Sequence, residues 1–338
     1  MERTADALLS ALLAGNRRAL ARVISLVEDD AAEAPALLSA LYAHTGRAHV
    51  IGITGAPGTG KSTLVNALAR AYRAQGHTVG VIAVDPTSPF SGGALLGDRV
   101  RMRDLAGDPG IFIRSMATRG SLGGLARATA DVISVLDAAG FARILVETVG
   151  VGQAEVDIAS AAHTTVVVEA PGLGDEVQAI KAGVLEIADI FAVNKADREG
   201  ADRTVLALQM MQGLAPATTG HHRAAGPPTP HARPQPGPQE DGSWLPPIQK
   251  TIALHGDGVD ALREWIERHA AYLTATGGWA RREATRAAAE IERILRDRLW
   301  EALLAGLPAD CFAQTVAAVV RRETDPYTAA TRLLTYAP

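Results

Sequence analysis

An α/β fold with a mostly parallel sheet flanked by helices is predicted by three features of the chain. Seven short β-rich runs, HVIGIT, TVGVIAVD, GIFIRSM, ARILVETV, TTVVVEA, DIFAVN and PIQKTIAL, alternate with helical stretches between about residues 48 and 271. Such alternation builds parallel strands joined by helical crossovers that cover both faces. The glycine-rich segment GAPGTGKS follows the first run directly and opens the helical stretch STLVNALARAYRA. With 338 residues, 47% hydrophobic and 21% charged, the chain is long enough to bury one α/β domain and still carry helical extensions.

Those extensions lie at both ends. Leu8, Leu9, Leu12 and Leu13, then Leu20, Val23, Ile24 and Val27, recur at helical spacing and predict an N-terminal helical extension over residues 1–46. The α/β domain is expected over 47–274. Residues 215–247 interrupt it with nine of the chain's eighteen prolines and the pair His221 and His222, and are expected to form a flexible surface insertion rather than a metal tract. Over 275–338 amphipathic helices follow the end of the sheet, and an appendage of that kind commonly packs against a second subunit.

Composition removes several classes. A net charge of −4 with scattered arginines offers no basic footprint for DNA or RNA. Cys311 is the one cysteine, so neither a disulfide framework nor a cysteine-rich zinc site is available, and it reads as a small residue in a helical core. The first twenty residues lack the apolar region of a secretory signal, and no stretch is long and apolar enough to span a membrane. A cytoplasmic protein with neither nucleic acid nor membrane as partner is expected.

The chemistry sits in four segments. Gly55, Ala56, Pro57, Gly58, Thr59, Gly60, Lys61 and Ser62 fit the phosphate-loop pattern GxxxxGK followed by Ser or Thr, between a strand and a helix, with Thr63 next in the helix. Glycines let backbone N–H groups turn inward around phosphates, Lys61 reaches the β and γ oxygens, and the Ser62 hydroxyl ligates Mg2+. Asp85 closes the second β run, where a carboxylate can hold the metal, although Asp85 with Pro86 also reads as a plain turn. Asp98 lies in a Gly-rich segment that can fold over the γ-phosphate or remain a solvated loop. Glu147 ends the run ARILVE; it can orient water or the metal's ligands, Gly150 can offer its N–H to the γ-phosphate, and Gln153 can position water or simply cap the next helix. Asn194, Lys195, Ala196 and Asp197 fit the guanine-reading pattern NKxD: Asp197 can accept two hydrogen bonds from guanine, which adenine cannot supply. Ala253 and Leu254, in TIALHGDG, would close the base pocket, with the Ala253 N–H facing the purine O6. These motifs, in this order, predict a P-loop GTPase with GTP as substrate, GDP as product and Mg2+ as cofactor.

With these residues in view the chain resembles the MeaB/MMAA family of G-protein chaperones, whose members have also carried the name ArgK-type transport ATPases or kinases. The resemblance rests on GAPGTGKST, VDPTSPFSGGALLGDRVRM, ETVGVGQAEVD, PGLGDEVQAIKAGVLEIAD, NKAD and the late DPY at Asp325–Tyr327, and covers about residues 5–336. It implies N-terminal helices, a P-loop core, a C-terminal dimerisation arm and a homodimer. It also implies a role in assembling, protecting or reactivating an adenosylcobalamin-dependent acyl-CoA mutase, usually methylmalonyl-CoA mutase. Carried over by position, Lys61, Asp85, Asp98 and Glu147 are catalytic residues, and Ser62, Asp85, Asp98 and Glu147 surround the metal. The stretch from Gly174 to Lys181 resembles a further switch segment, so Asp175, Gln178 and Lys181, with Gln153, are candidates for coupling to the mutase. Where the family often has Ser before the alanine of the base-closing segment, this chain has Ile252. Two other functions fit a related core. A metallochaperone GTPase predicts Cys or His clusters, and neither CxxC nor HxH occurs; a kinase acting on a transport protein would use ATP, against the guanine motif.

Overall fold

The computed structural model describes residues 2–85, 105, 107–117, 124–148, 160–172, 186–214 and 235–336. They form two compact units, Met1–Trp279 and Ala280–Pro338. In the first unit a seven-stranded parallel sheet runs in the order β3-β2-β4-β1-β5-β6-β9, where β1 is His49–Thr54, β2 Val79–Asp85, β3 Ile111–Ala117, β4 Arg143–Glu147, β5 Thr164–Glu169, β6 Ile190–Val193 and β9 Ile248–Lys250. All seven predicted runs became these strands. Every residue of β1 is buried, as a central parallel strand with helices on both faces requires. The chain moves from β1 to one side of the sheet and from β4 to the other, which opens a crevice at the carboxyl ends of the central strands.

Alternation along the strands separates two apolar layers. Ile51, Ile53, Val81, Leu145 and Val166 face Leu64, Leu68 and Tyr72 of α4 (Lys61–Ala74) and Leu262 and Ile266 of the helix Val259–Ala275. On the opposite face Val50, Ile82, Val84, Ile144 and Val146 pack on α5 (Gly124–Ala138) and on the N-terminal helices α1 (Glu2–Leu13), α2 (Arg17–Glu28) and α3 (Ala34–Tyr42). Leu20, Val23, Ile24 and Val27, predicted from spacing alone, are buried in that layer, so the N-terminal extension is one wall of the core. Asn16 caps α2 by accepting from the N–H groups of Arg18 and Ala19. On the same face α6 (Ala201–Leu214) covers Val167, Phe191 and Val193 through Leu208.

Part of the proline-rich tract departs from the expectation. Residues 215–234 lie outside the described residues, but 235–247 carry a small antiparallel pair, β7 (Gly237–Pro238) with β8 (Trp244–Leu245). Two residues per strand and a proline give almost no local signal for β structure; tertiary contacts supply the order. Trp244 donates its indole N–H to the Asp189 carbonyl at 2.8 Å and lies against His269 and Tyr272 of α7 (Val259–Ala275).

At the amino ends of β1, β5 and β6 a buried polar chain joins the strands. The Thr164 hydroxyl lies 2.8 Å from His49 Nε2 and 2.9 Å from His269 Nδ1, and His269 Nε2 faces Asp189 Oδ1 at 3.3 Å. Since a carboxylate only accepts, the proton belongs on His269 Nε2; Thr164 then donates to Nδ1 and accepts from His49. Trp279 stacks on His163 at 3.9 Å.

The second unit holds most of α8 (Gly278–Gly306) with α9 (Cys311–Val320) and α10 (Pro326–Leu334). Asp325 caps α10, accepting from Tyr327 and Thr328 N–H, with Pro326 in the first turn. Cys311, half-buried, opens a helix in which no residue is buried, so it is not the core residue expected; Phe312, Val316 and Val320 of α9 are exposed. Among the described residues no single helix is long and apolar enough to cross a membrane.

The turn entering β3 is fastened from both faces of the sheet. Arg73 at the end of α4 makes two hydrogen bonds of 2.9 Å to the Asp108 carboxylate, and Arg17 of α2 donates to the carbonyls of Asp108, Pro109 and Ile111. The Arg73 hydrogen bonds, helped by the Gly110 N–H, hold the Asp108 carboxyl below its ordinary range. A lowered folded-state pKa stabilises the fold above the unfolded-state value, and that contribution disappears as pH falls through the folded-state value. Asp108→Asn is therefore expected to melt at a lower temperature than wild type at pH 7, with the two melting temperatures converging as pH falls below the ordinary carboxylate range; an undiminished gap there would show that charge at Asp108 is not what matters.

Candidate nucleotide site

The phosphate loop leaves β1 after Thr54 and enters α4 at Lys61. Gly55 has φ 139°, and a Cβ there would stand 2.1 Å from the Val168 carbonyl oxygen of β5, so only glycine lets the loop pass against that strand. Gly60 has φ 92°, and a Cβ on it would meet Asn194 Nδ2 at 2.5 Å. Gly60 occupies the cap position of α4 without a side-chain acceptor, which leaves the first-turn N–H groups of that helix to an anion. Thr59 is buried and braces the loop through its hydroxyl to the Ala56 carbonyl at 3.0 Å, while Pro57 and Gly58 form the exposed rim.

Lys61 is 6% exposed and donates to the Gly55 and Ala56 carbonyls at 2.8 and 3.0 Å, which folds its ammonium back into the arc of the loop. Ser62 donates its hydroxyl hydrogen to Glu147 Oε1 at 2.6 Å. Because that hydrogen is committed, the lone pairs of Ser62 Oγ are what it presents to a cation, and the chemistry of this pair fits Mg2+. Glu147 stands in register with Ile53 on one side and Ala83 on the other, and the backbone of Asp85 ends β2 two residues beyond Ala83. Both acids are thus on strands that end at the phosphate loop. Thr63, the next residue of α4, lines a groove of about 650 Å³ with Asn66, Arg70, Ala253 and Leu254.

The base-reading segment is wired to the loop. Asn194 is buried; its Nδ2 donates to the Thr59 carbonyl at 2.8 Å, and its Oδ1 accepts from the Ala253 N–H at 3.0 Å and from the Thr251 hydroxyl at 3.2 Å. Lys195, at φ 56°, lays its side chain across the loop and donates to the Gly58 carbonyl at 2.6 Å. Asp197 follows on an exposed turn, where its carboxylate meets solvent. One expectation is corrected here. The Ala253 N–H does not stand open for a purine O6: with Asn194 Nδ2 engaged by the loop, the amide oxygen points to the 251–253 turn and takes this N–H. Leu254 is 78% exposed beside it. Thr251, absent from the sequence-derived set, is buried and belongs to the site; its one signal was its place at the end of a β-rich run.

The structure therefore brings together Gly55 through Thr63, Glu147, Asn194, Lys195, Asp197 and Ala253, with the backbone of Asp85 at the same end of the sheet. Asp98, Gly150, Gln153, Asp175, Gln178 and Lys181 lie outside the described residues.

Comparison with known proteins gives consistent relatives. The family model described as methylmalonyl-CoA mutase-associated GTPase MeaB matches residues 20–307. A Pyrococcus horikoshii protein named as a GTPase is 48% identical over 97% of this chain and 97% of its own. The mouse (Mus musculus) mitochondrial methylmalonic aciduria type A homologue is 32% identical, over 84% of this chain and 67% of its own. Among solved structures, that of an LAO/AO transport system kinase superposes with a TM-score of 0.69 at 25% identity, covering 99% of this chain and 98% of the other.

Removing the Asn194 side chain would orphan three buried groups at once, each of which costs about 1–3 kcal/mol when it loses its partner. Asn194→Ala is expected to weaken GDP binding at least about tenfold, measured by titration calorimetry on the full chain; wild-type affinity would mean these links do not support the nucleotide pocket.

Proposed function

The chain belongs to the MeaB family of GTPases, and from that premise we propose that its GTP hydrolysis switches a chaperone of an adenosylcobalamin-dependent acyl-CoA mutase, such as methylmalonyl-CoA mutase. The observation that carries the reading is the joint one: the family match spans residues 20–307, and inside that span the guanine-reading Asn194 and Lys195 are hydrogen-bonded to the phosphate loop. The likeness to the methylmalonic aciduria type A homologue supports a mutase as client.

In this reading Lys61 meets the β- and γ-phosphate oxygens and Asp197 reads guanine. Ser62 and Glu147 would hold Mg2+, with Asp85 and Asp98 as the further acids. The ion would supply positive charge against the negative charge of the phosphates. Lys61 supplies positive charge from inside the loop and Glu147 keeps Ser62 oriented. Intrinsic turnover is expected to be slow, because among the described residues no arginine is hydrogen-bonded to the phosphate loop as a source of transition-state charge. A client that supplies such a positive group would accelerate it.

We also propose that the C-terminal arm pairs two copies of the chain. Ile291, Leu295 and Leu299 repeat every fourth residue along α8 and are 59%, 54% and 64% exposed, a helical stripe of the kind that a partner helix covers.

The reading is tested by GTP hydrolysis of the purified chain, alone and with a cobalamin-dependent acyl-CoA mutase from the same genome, with ATP as control. GTP-selective turnover raised at least about tenfold by the mutase is expected; turnover indifferent to every such mutase overturns the chaperone role. Asp197→Asn should lose preference for GTP and gain xanthosine triphosphate, whose O2 accepts from the new amide, and unchanged selectivity would place the base elsewhere. For the arm, Leu295→Asp with Leu299→Asp should shift the sedimentation coefficient from dimer to monomer; an unchanged coefficient removes this stripe from the interface.

A further inference from the structure

At the point where the phosphate loop begins, two buried hydroxyls meet. Thr54 is the last residue of β1 and Thr148 the first after β4; they are 0% and 2% exposed, and Thr148 Oγ1 donates to Thr54 Oγ1 at 3.0 Å. Between them the Thr148 N–H donates to the Ile53 carbonyl at 3.1 Å. Because side chains alternate along a strand, Thr54 and Thr148 face one side of the sheet while their predecessors Ile53 and Glu147 face the other. Ile53 is indeed buried in the layer beneath α4, where Glu147 accepts from Ser62, and Val50 and Val146 lie in the opposite layer.

The strand ends are therefore fastened on both faces. The Ser62–Glu147 bond closes one face, the hydroxyl pair closes the other, and the backbone bond runs between them. The fold itself does not call for hydroxyls here. They stand on the face of the sheet where Val50, Val146 and their neighbours form an apolar layer, and exchanging both members of a buried hydrogen-bonded pair for apolar groups of the same shape is close to neutral for stability. Valine would match the shape of threonine and the strand preference of the site. What valine could not reproduce is a directional link that fixes how the residue after Glu147 sits against the residue before Gly55.

We propose that the Thr54–Thr148 pair is a positioning element for GTP hydrolysis: it holds the end of β4 to the root of the phosphate loop so that the Glu147 carboxylate stays on Ser62. Neither threonine touches the nucleotide; both act through Glu147 and Ser62. Small displacements of such groups are expensive in rate while leaving binding nearly intact, because the nucleotide is gripped mainly by the loop and by the base-reading segment. The pair should therefore separate turnover from affinity.

The test uses the full chain, comparing wild type with Thr54→Val/Thr148→Val, Thr148→Ser and Thr148→Ala in single-turnover GTP hydrolysis at saturating nucleotide. GDP affinity, the Mg2+ concentration giving half-maximal rate, and the melting temperature are measured alongside. The double valine variant is expected to keep the wild-type melting temperature and GDP affinity within about twofold, yet to hydrolyse GTP at least about tenfold more slowly and to need more Mg2+. Thr148→Ser, which keeps the hydroxyl, should hydrolyse at close to the wild-type rate, and Thr148→Ala should not. A double valine variant with wild-type rate and Mg2+ requirement, or one whose rate falls only together with its melting temperature, overturns the proposal. Should the double variant fail to fold, the serine and alanine variants decide it: serine fast and alanine slow sustains the positioning role, and equal rates for the two remove it.

Discussion

The carboxamide of Asn194 is the constraint on which the rest of the site depends. From the end of β6 it reaches across β5 to the phosphate loop, donating to the Thr59 carbonyl, and turns its oxygen to the Ala253 N–H and the Thr251 hydroxyl after β9. One buried side chain thus sets the spacing of three segments that are far apart in sequence. A carboxamide is suited to this task because it carries both donor and acceptor on a flat, uncharged group, so burial costs no ionisation. Its position imposes the glycine at position 60, where any Cβ would collide with Nδ2, and leaves room for Lys195 to lie over the loop onto the Gly58 carbonyl. The base-reading and phosphate-binding halves are in this sense one structure.

The strands that carry these halves are fixed at their other ends too. His49, Thr164, His269 and Asp189 run as a polar chain across the beginnings of β1, β5 and β6, the strands from which the loop and the base-reading turn depart. A parallel ladder permits slippage unless something specifies register, and a buried hydrogen-bonded chain specifies it more sharply than apolar packing does. Register at the base determines where Thr54 and Val193 end, and hence whether Asn194 can reach Thr59. The two ends of the sheet are coupled by geometry alone, through strands only four to six residues long.

How much of this was legible in the sequence follows from how local each signal is. The seven strands were readable because each is a short apolar run ending in a motif residue or a turn, and the N-terminal helices because their leucines, valines and isoleucines keep one face. The phosphate loop and NKAD were readable because their chemistry is carried by contiguous residues. What was not readable depends on which strands become neighbours. The β7-β8 pair is ordered by Trp244 reaching Asp189, His269 and Tyr272, so its prolines misled. The Ala253 N–H was assigned to a ligand because nothing in TIALHGDG indicates that Asn194, 59 residues earlier, would take it. Thr54 and Thr148, 94 residues apart, look like ordinary strand residues until β1 and β4 are known to be adjacent.

A pattern connects these long-range contacts. Where apolar packing would have sufficed for stability, the end of the sheet that bears the phosphate loop is joined by hydrogen bonds with defined direction: Ser62 to Glu147, Thr148 to Thr54, Thr251 and Ala253 to Asn194, Lys61 to the loop carbonyls. Apolar contacts tolerate displacements of some tenths of an ångström; hydrogen bonds weaken steeply as their geometry departs from the optimum. A site that must hold carboxylate, hydroxyl and ammonium in fixed relation gains from this stiffness, since polar groups oriented before the ligand arrives need no reorganisation when charge develops. The same directional contacts make the site sensitive: each has a partner that cannot be replaced by shape alone, so a substitution that a buried apolar position would absorb becomes, here, a change in where Ser62 or Asn194 points.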